Sequence, residues 1–399
     1  MKQFIILFLS VLTIQAQTSF SGHIIDKQTQ ERLPFINVFS PETNQGVYTN
    51  NDGYFEFQIP QSSKTIVISC LGYKSIILNV SQVTQNMKFE LETENYLLDE
   101  LIIVNKPLNE IVEKLVQNSQ QQLERSIKLE TYYREFVKIN NQYSKFADGL
   151  VDYYLKPKRK DKVKAKVVVN QSRAFELIKE HEVEAKGSAS SSLNSLYNFK
   201  DAANSFFSFD AIENYLSDAK SSNDYDFEIT RKITEDGKEI ETIQIKALPE
   251  VEKVLVEGYI TYDAKRNLIL EYHLKLSETH KKYSKLKNMI LFKAKINDFD
   301  LKTSFKYLDE KYVPNYKKFS FDVYLKFGKM VNDNLSGTAD VLINHYQDEN
   351  VVLPQKEQFY TAHSLYENGM NYTTEFWKTN KAMQLSAKEE SILKQIQND

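Results

Sequence analysis

The chain has 399 residues, with 51 Lys and Arg against 54 Asp and Glu and a formal net charge of −3. Charge this evenly balanced excludes the global electrostatic footprint of a nucleic-acid binder or of a protein drawn to an anionic membrane by its overall charge, and the length calls for two or three domains. Twenty-four Tyr and 24 Phe against 11 Gly and 8 Pro point to many regular, β-rich segments and few linkers.

Met1 and Lys2 precede an apolar run from Phe4 to Ile14, and Gln15-Ala16-Gln17 follows. A positive start, a short apolar segment and a small residue predict a secretory signal peptide over residues 1–16, cleaved after Ala16. The run is too short to span a bilayer, and no later stretch reaches the roughly 18 apolar residues that a membrane helix needs. Cys70 is the single cysteine, so neither a lipidated cysteine at the cleavage point nor an internal disulfide is expected. Cys70 itself reads as a small buried apolar residue inside a strand. These features predict an exported, soluble protein of the periplasm or the outer-membrane periphery.

From Ser21 the segments GHIID, LPFINVFSP, GVYTN, GYFEFQIP, TIVISCLGY and IILNV alternate with turn residues, and no helical periodicity appears until residue 107. That spacing predicts a small antiparallel β-sandwich, with Pro34, Pro41 and Pro60 at strand edges. Within it, Thr49 to Pro60 (TNNDGYFEFQIP) offers oxygens for a calcium ion or a corner between strands. A calcium loop closes with Glu about six positions after its Gly; here that position is Ile59. The run after Gly53 alternates apolar residues at 55, 57 and 59, so Asp52-Gly53 reads as a turn.

Gly22 and Asp26, Leu33-Pro34, Val38, Gly46, Thr49, Asp52-Gly53-Tyr54-Phe55 and Ser69-Cys70-Leu71-Gly72-Tyr73 occur in that order. They resemble the carboxypeptidase-regulatory-like domain, a transthyretin-like sandwich common in exported proteins of Bacteroidota. The resemblance runs from Ser19 to about Leu91 and gives a domain over 17–92. It implies that Asp52-Gly53 is a structural corner and that Gly72-Tyr73 closes the sandwich; Asn50 stands where the family often has Asp. Leu97 to Val104, LLDELIIV, is similar to the segment joining such a domain to the plug of TonB-dependent outer-membrane transporters. A barrel of about twenty-two strands needs more than the residues that follow, so a transporter is not expected.

Residues 93–128 read as a connecting segment ending in an amphipathic helix from Pro107, with Leu108, Ile111, Val112, Leu115, Val116 and Leu123 on one face. Gln120, Gln121 and Gln122 near its end read as solvated. Residues 129–399 read as an α+β domain on a curved antiparallel sheet. It opens with a hairpin turning at Asn140-Asn141. Lys156 to Lys166 holds seven basic residues in eleven. That segment reads as an exposed charged turn and edge strand, able through Lys156, Lys158, Arg159 and Lys160 to make peripheral contact with an anionic envelope surface. Ser188 to Ser192 reads as a loop. Phe206, Phe207, Ile212, Tyr215 and Leu216 belong to two short helices lying across the sheet.

Strands resume at Tyr225. The hairpin VLVEGYITYDAKRNLILEYHLKLS, and the meander from Tyr225 to Tyr346 around it, resembles the curved-sheet proteins that carry lipoproteins and lipids in the periplasm. Near the end, Trp377 reads as an anchor for the tail, and Ser386 with Glu389 three residues on forms a capping box.

His181-Glu182-Val183-Glu184 has the His-x-x-Glu spacing of zinc carboxypeptidases, with His273 or His280 as a third ligand. That catalytic fold needs alternating strands and helices, which this sequence lacks. Ser217 to Lys220 and Ser284 to Lys287 match Ser-x-x-Lys without the accompanying motifs, and His23, His345 and His363 are scattered. No catalytic, cofactor or metal residues are therefore assigned. Two roles compete: an envelope adaptor or binding protein, and a carrier holding an apolar ligand in the curved sheet against Phe206, Phe207 and Tyr215. A zinc hydrolase is the third.

Overall fold

The computed structural model describes residues 19–94, 96–102, 106–159, 162–176, 203–218, 222–234, 237–288, 292–308, 310–327, 331–362, 364–365, 376–377 and 383–398. The fold is mainly β: a small sandwich followed by a large antiparallel sheet with helices packed on both faces.

The sandwich uses β1 (Ser19–Asp26), β2 (Asn37–Ser40), β3 (Gln45–Tyr48), β4 (Tyr54–Gln58), β5 (Thr65–Ser69), β6 (Ile76–Asn79) and β7 (Met87–Leu91). One layer is β4-β1-β7, with β1 and β7 parallel; the other is β6-β5-β2-β3. Alternation places Ile66 and Ile68 of β5 inward, against Phe20, Ile24, Phe55 and Leu91 from the opposite layer. Its corners rest on local hydrogen bonds. Asn50 Oδ1 accepts the N–H groups of Asp52 and Tyr54 at 2.9 Å each, and Gly53 turns the chain at φ +68°. Thr49 Oγ1 accepts from Ile36 N at 2.9 Å and donates to Leu33 O at 2.7 Å. Tyr73 donates to Asp26 Oδ2 at 2.9 Å, across the ends of the sandwich. Asp26, Thr49 and Asn50 thus share a role: each satisfies backbone groups that the turns leave unpaired.

The second part begins with β8 (Tyr96–Ile102) and α1 (Leu108–Gln122), then β9 (Lys128–Ile139), β10 (Gln142–Arg159) and β11 (Lys162–Glu176). Two short helices follow, α2 (Ser205–Ser208) and α3 (Asp210–Leu216). The chain then builds β12 (Tyr225–Thr234), β13 (Glu239–Ala247), β14 (Val256–Asp263), β15 (Leu268–Leu276), β16 (Lys287–Asn288), β17 (Lys293–Leu308), β18 (Lys311–Phe327) and β19 (Val331–Gln347), and closes with α4 (Ala387–Asn398). Among the described residues eleven strands run β11-β10-β9-β19-β18-β17-β15-β14-β13-β12-β8, every pair antiparallel. Residues 96–102, in the segment read as a connector, thus form the strand at one edge, beside β12.

Asn140 and Asn141 both take left-handed φ, +50° and +68°, as a two-residue hairpin turn of the favoured hand requires. All eleven strands contribute to one core with α1, α2 and α3: Ile102, Leu129, Val151, Val163, Ile229, Ile243, Ile260, Leu274, Leu301, Val313 and Val341 all belong to it. A flat sheet of that many strands would be about 48 Å wide, whereas α1 is about 22 Å long. The sheet wraps its inner face around the helices, and the opposite, outer face meets the sandwich and α4.

Gln120 departs from the sequence expectation. It is 6% exposed and donates to Ser208 O and Glu213 Oε1, joining α1 to the two short helices. A glutamine at the end of the apolar stripe is buried because another helix caps that face, which periodicity within α1 does not reveal. Cys70 lies one residue beyond β5 and is half-buried, with its thiol pushed up to about 11 by burial.

Candidate functional site

Along β9 the side chains of Tyr132, Arg134 and Phe136 share the outer face, opposite Leu342, Asp340 and Thr338 of β19. At one end β18 separates from β19 beyond the Tyr316 and Leu342 pair, and β3 of the sandwich enters the fork through Gln45 opposite His345. The Tyr48 hydroxyl, buried there, donates to Asn315 Oδ1 at 2.8 Å. Phe35 stacks on Tyr316 at 6.1 Å between centroids, and Lys318 Nζ lies 4.5 Å from the Phe35 ring. Aromatic faces and a half-desolvated cation make this contact more than a passing touch between domains.

A second contact is polar. Arg134, 1% exposed, donates from Nη2 to Asp340 at 2.7 Å and from Nη1 to Glu389 at 3.1 Å. Burial opposes its charge, but Asp340 and Glu389 outweigh that and hold the guanidinium above its ordinary range. Glu389 also closes the capping box: its carboxylate accepts from Ser386 N at 2.7 Å while Ser386 Oγ accepts from Glu389 N at 3.3 Å. The sandwich corner completes the cluster, with Asn51 Nδ2 donating to Glu389 Oε1 at 2.8 Å and Ala387 N donating to Asp52 Oδ2 at 2.9 Å. The Asn-Asn-Asp-Gly corner thus docks on the first turn of α4. Nearby, Asp148 accepts from Tyr132 at 2.8 Å and from both Nε and Nη2 of Arg173, whose guanidinium lies 4.6 Å from the Trp377 ring.

Between these elements opens a cleft of about 580 Å³. Ser320, Ser336 and Thr338, on adjoining strands, form its floor; Lys388, Glu389 and Ile392 of α4 and the Asn51-Asp52 corner form its walls. Phe136 and Tyr143 line one end, and Asp298 and Asp322 the other. The acids are already engaged, Asp298 by Lys281 Nζ at 2.8 Å and Asp322 by Asn297 Nδ2 at 2.8 Å. The three floor hydroxyls make no side-chain hydrogen bond among the described residues, so they are available to a polar ligand. Hydroxyls beside an aromatic end and paired carboxylates suit a ligand bound by hydrogen bonds and ring contact.

Of the residues singled out from sequence, Phe206 and Phe207 are 1% and 0% exposed, and Phe206 meets Phe305 edge-on at 6.4 Å. Tyr215 lies tilted on Phe299 at 5.6 Å. All three pack in the inner-face core. His273 binds Asp300 at 2.9 Å on the outer face, while His280 is buried between Ser277, Thr279 and Leu248 O. His181, Glu184, His363, Lys160 and Ser188 to Ser192 lie outside the described residues, as does Lys220 of the first Ser-x-x-Lys. Ser284 of the second donates to Ile296 O, and Lys287 is exposed. Among the described residues no three His, Cys, Asp or Glu side chains form a group able to hold a metal ion. Lys156 and Lys158 are exposed near the tip of the β10-β11 hairpin. Trp377 is half-buried against the junction, as a tail anchor requires.

Arg134 and Asp340 escaped the sequence reading. The available signal was Arg134 standing between Tyr132 and Phe136 on an otherwise aromatic face, where an isolated charge calls for a buried partner.

Residues 20–103 match the family model of the CarboxypepD_reg-like domain. The match includes the whole sandwich and continues through β8, the edge strand of the large sheet. No curated protein matches the chain.

Proposed function

We propose that this is a non-catalytic, exported envelope protein with a binding or adaptor role, in which the CarboxypepD_reg-like domain is fixed to the outer face of the large sheet and helps to form the ligand cleft. One observation carries the reading over that of a carrier: the inner face is occupied by the protein's own α1, α2 and α3, whose side chains share a continuous core with all eleven strands. The space left for a partner lies on the outer face, where the sandwich corner, α4 and the floor hydroxyls of Ser320, Ser336 and Thr338 surround about 580 Å³. The expected ligand is a polar segment of an envelope protein or glycan. A photoreactive residue placed at Thr338 and activated in the host envelope tests this. An adduct of protein or glycan is expected, and adducts of lipid mass alone would contradict the reading.

A further inference from the structure

At the end of the sheet where β10 and β11 run past β9, we propose that the protein docks on an anionic phospholipid surface, using a lysine stripe and a neighbouring apolar loop. β9 starts at Lys128, opposite Tyr154, but β10 and β11 remain paired out to Arg159 and Lys162. On the outer face of this projection Lys156 lies directly opposite Lys164, and Lys166 lies opposite Tyr154. Like charges facing each other across an antiparallel pair repel, an arrangement that costs stability unless a counter-charge arrives. Lys156, Lys158 and Lys164 are exposed and have no acidic partner among the described residues. Some surface lysines elsewhere do find acids, as Lys88 does in Glu90 and Lys275 in Glu257. The stripe cannot turn inward, because Leu155 and Val163 on the reverse face are 4% and 2% exposed within the core.

A second, independent feature lies at the same end. The loop after β19 leaves Gln347, opposite Lys128, and reaches the β11 edge, where Tyr360 N donates to Val167 O at 2.8 Å and the Phe359 ring lies 4.4 Å from Lys166 Nζ. Within it Val352 is 82% exposed and Leu353 38%. The loop carries Asp348, paired with Lys311, and Glu349, Lys356 and Glu357, so the positive field comes from the hairpin. Lysines beside exposed aliphatic side chains form the pattern that holds proteins at lipid headgroups: cations meet phosphate, and aliphatic groups enter the acyl boundary. A hydrated polyanion or an acidic protein surface would satisfy the lysines and leave Val352 and Leu353 in water. This contact is separate from the cleft and needs only that the end of the hairpin be free.

Vesicle co-sedimentation tests the proposal, using the full chain without its predicted signal peptide. With phosphatidylcholine vesicles alone little binding is expected. With phosphatidylglycerol added, the protein should sediment, and salt should reverse this. Removing three charges in Lys156→Gln, Lys158→Gln, Lys164→Gln should lower partitioning by more than about tenfold. Val352→Asn with Leu353→Ser should also lower vesicle binding while leaving retention on dextran sulfate unchanged. All substituted positions are exposed, and unchanged melting curves would show that the variants fold. Equal binding to both vesicle types, no binding to either, an unaffected lysine variant, or an unaffected Val352 and Leu353 variant would each overturn the proposal.

Discussion

The sandwich and the large sheet handle buried polar groups differently. In the sandwich Asp26, Thr49 and Asn50 are buried, yet their bonds serve backbone mostly within a few residues, at the turns they stabilise. In the sheet the buried charges Arg134, Asp148 and Asp340 lie in mid-strand, and their partners are distant in sequence: Arg134 and Asp340 are 206 residues apart, Arg134 and Glu389 255. Local polar groups specify a corner; distant ones specify which elements meet. The junction, where the sandwich corner reaches Glu389, joins the two arrangements.

Breaking the distant arrangement should have the largest effect. Arg134→Ala leaves Asp340 and Glu389 buried without their cation and should cost about 3–5 kcal/mol in urea unfolding. Arg134→Met combined with Asp340→Leu and Glu389→Gln should recover much of this loss, since no charge is then stranded beneath the sandwich. If Arg134→Ala unfolds at the wild-type urea concentration, the ion cluster contributes nothing to the junction.

Lys317 sharpens the contrast through pH. It faces inward, 6% exposed, with Nζ 3.4 Å from Ser205 O, and burial pushes its pKa down to about 7 from the ordinary lysine value of 10.5. Between those two values the unfolded chain binds more protons than the folded one, so stability should rise with pH across that window and be lowest below about 7. Lys317→Met should remove this slope and stabilise the protein at neutral pH, by an amount on the order of a few kcal/mol. Urea midpoints measured at both ends of the window decide the matter; a wild-type slope retained in the variant would assign it to another group.

At local turns and caps the expected losses are smaller. A Cβ at Gly53 would lie 2.6 Å from Ile24 O at a φ of +68°, so Gly53→Ala should cost more than about 1 kcal/mol. Gly237 has a similar φ, +78°, with no atom within 4 Å, and Gly237→Ala should cost less. Thermal melts of the pair separate steric conflict from backbone strain. Ser386→Ala removes the helix cap and should cost about 1 kcal/mol.

How legible each region was follows from the same contrast. The corner at Asn50 to Gly53, the turn at Asn140-Asn141 and the Ser386 and Glu389 box involve neighbours along the chain, so residue order alone revealed them. The exposed Lys156 and Lys158 were legible for the same reason, as a run of charge. Burial of Gln120, the pairing of Arg134 with Asp340, and the floor of Ser320, Ser336 and Thr338 depend on register between strands far apart in sequence. Period-two alternation shows that residues share a face, but not which strand lies beside it. Phe206 and Phe207 were correctly placed on helices across the sheet. Their apolar character alone could not distinguish core from ligand lining.

The central claim is that the inner face is filled by the protein itself and that partners are met on the outer face. Native mass spectrometry of protein isolated from its host tests it most directly. The account predicts the mass of the bare chain, without a bound lipid, from preparations in which Phe206 and Phe207 remain in the core. A stoichiometric acyl-lipid adduct, lost when those two phenylalanines are replaced by larger or polar residues, would contradict it and establish a carrier.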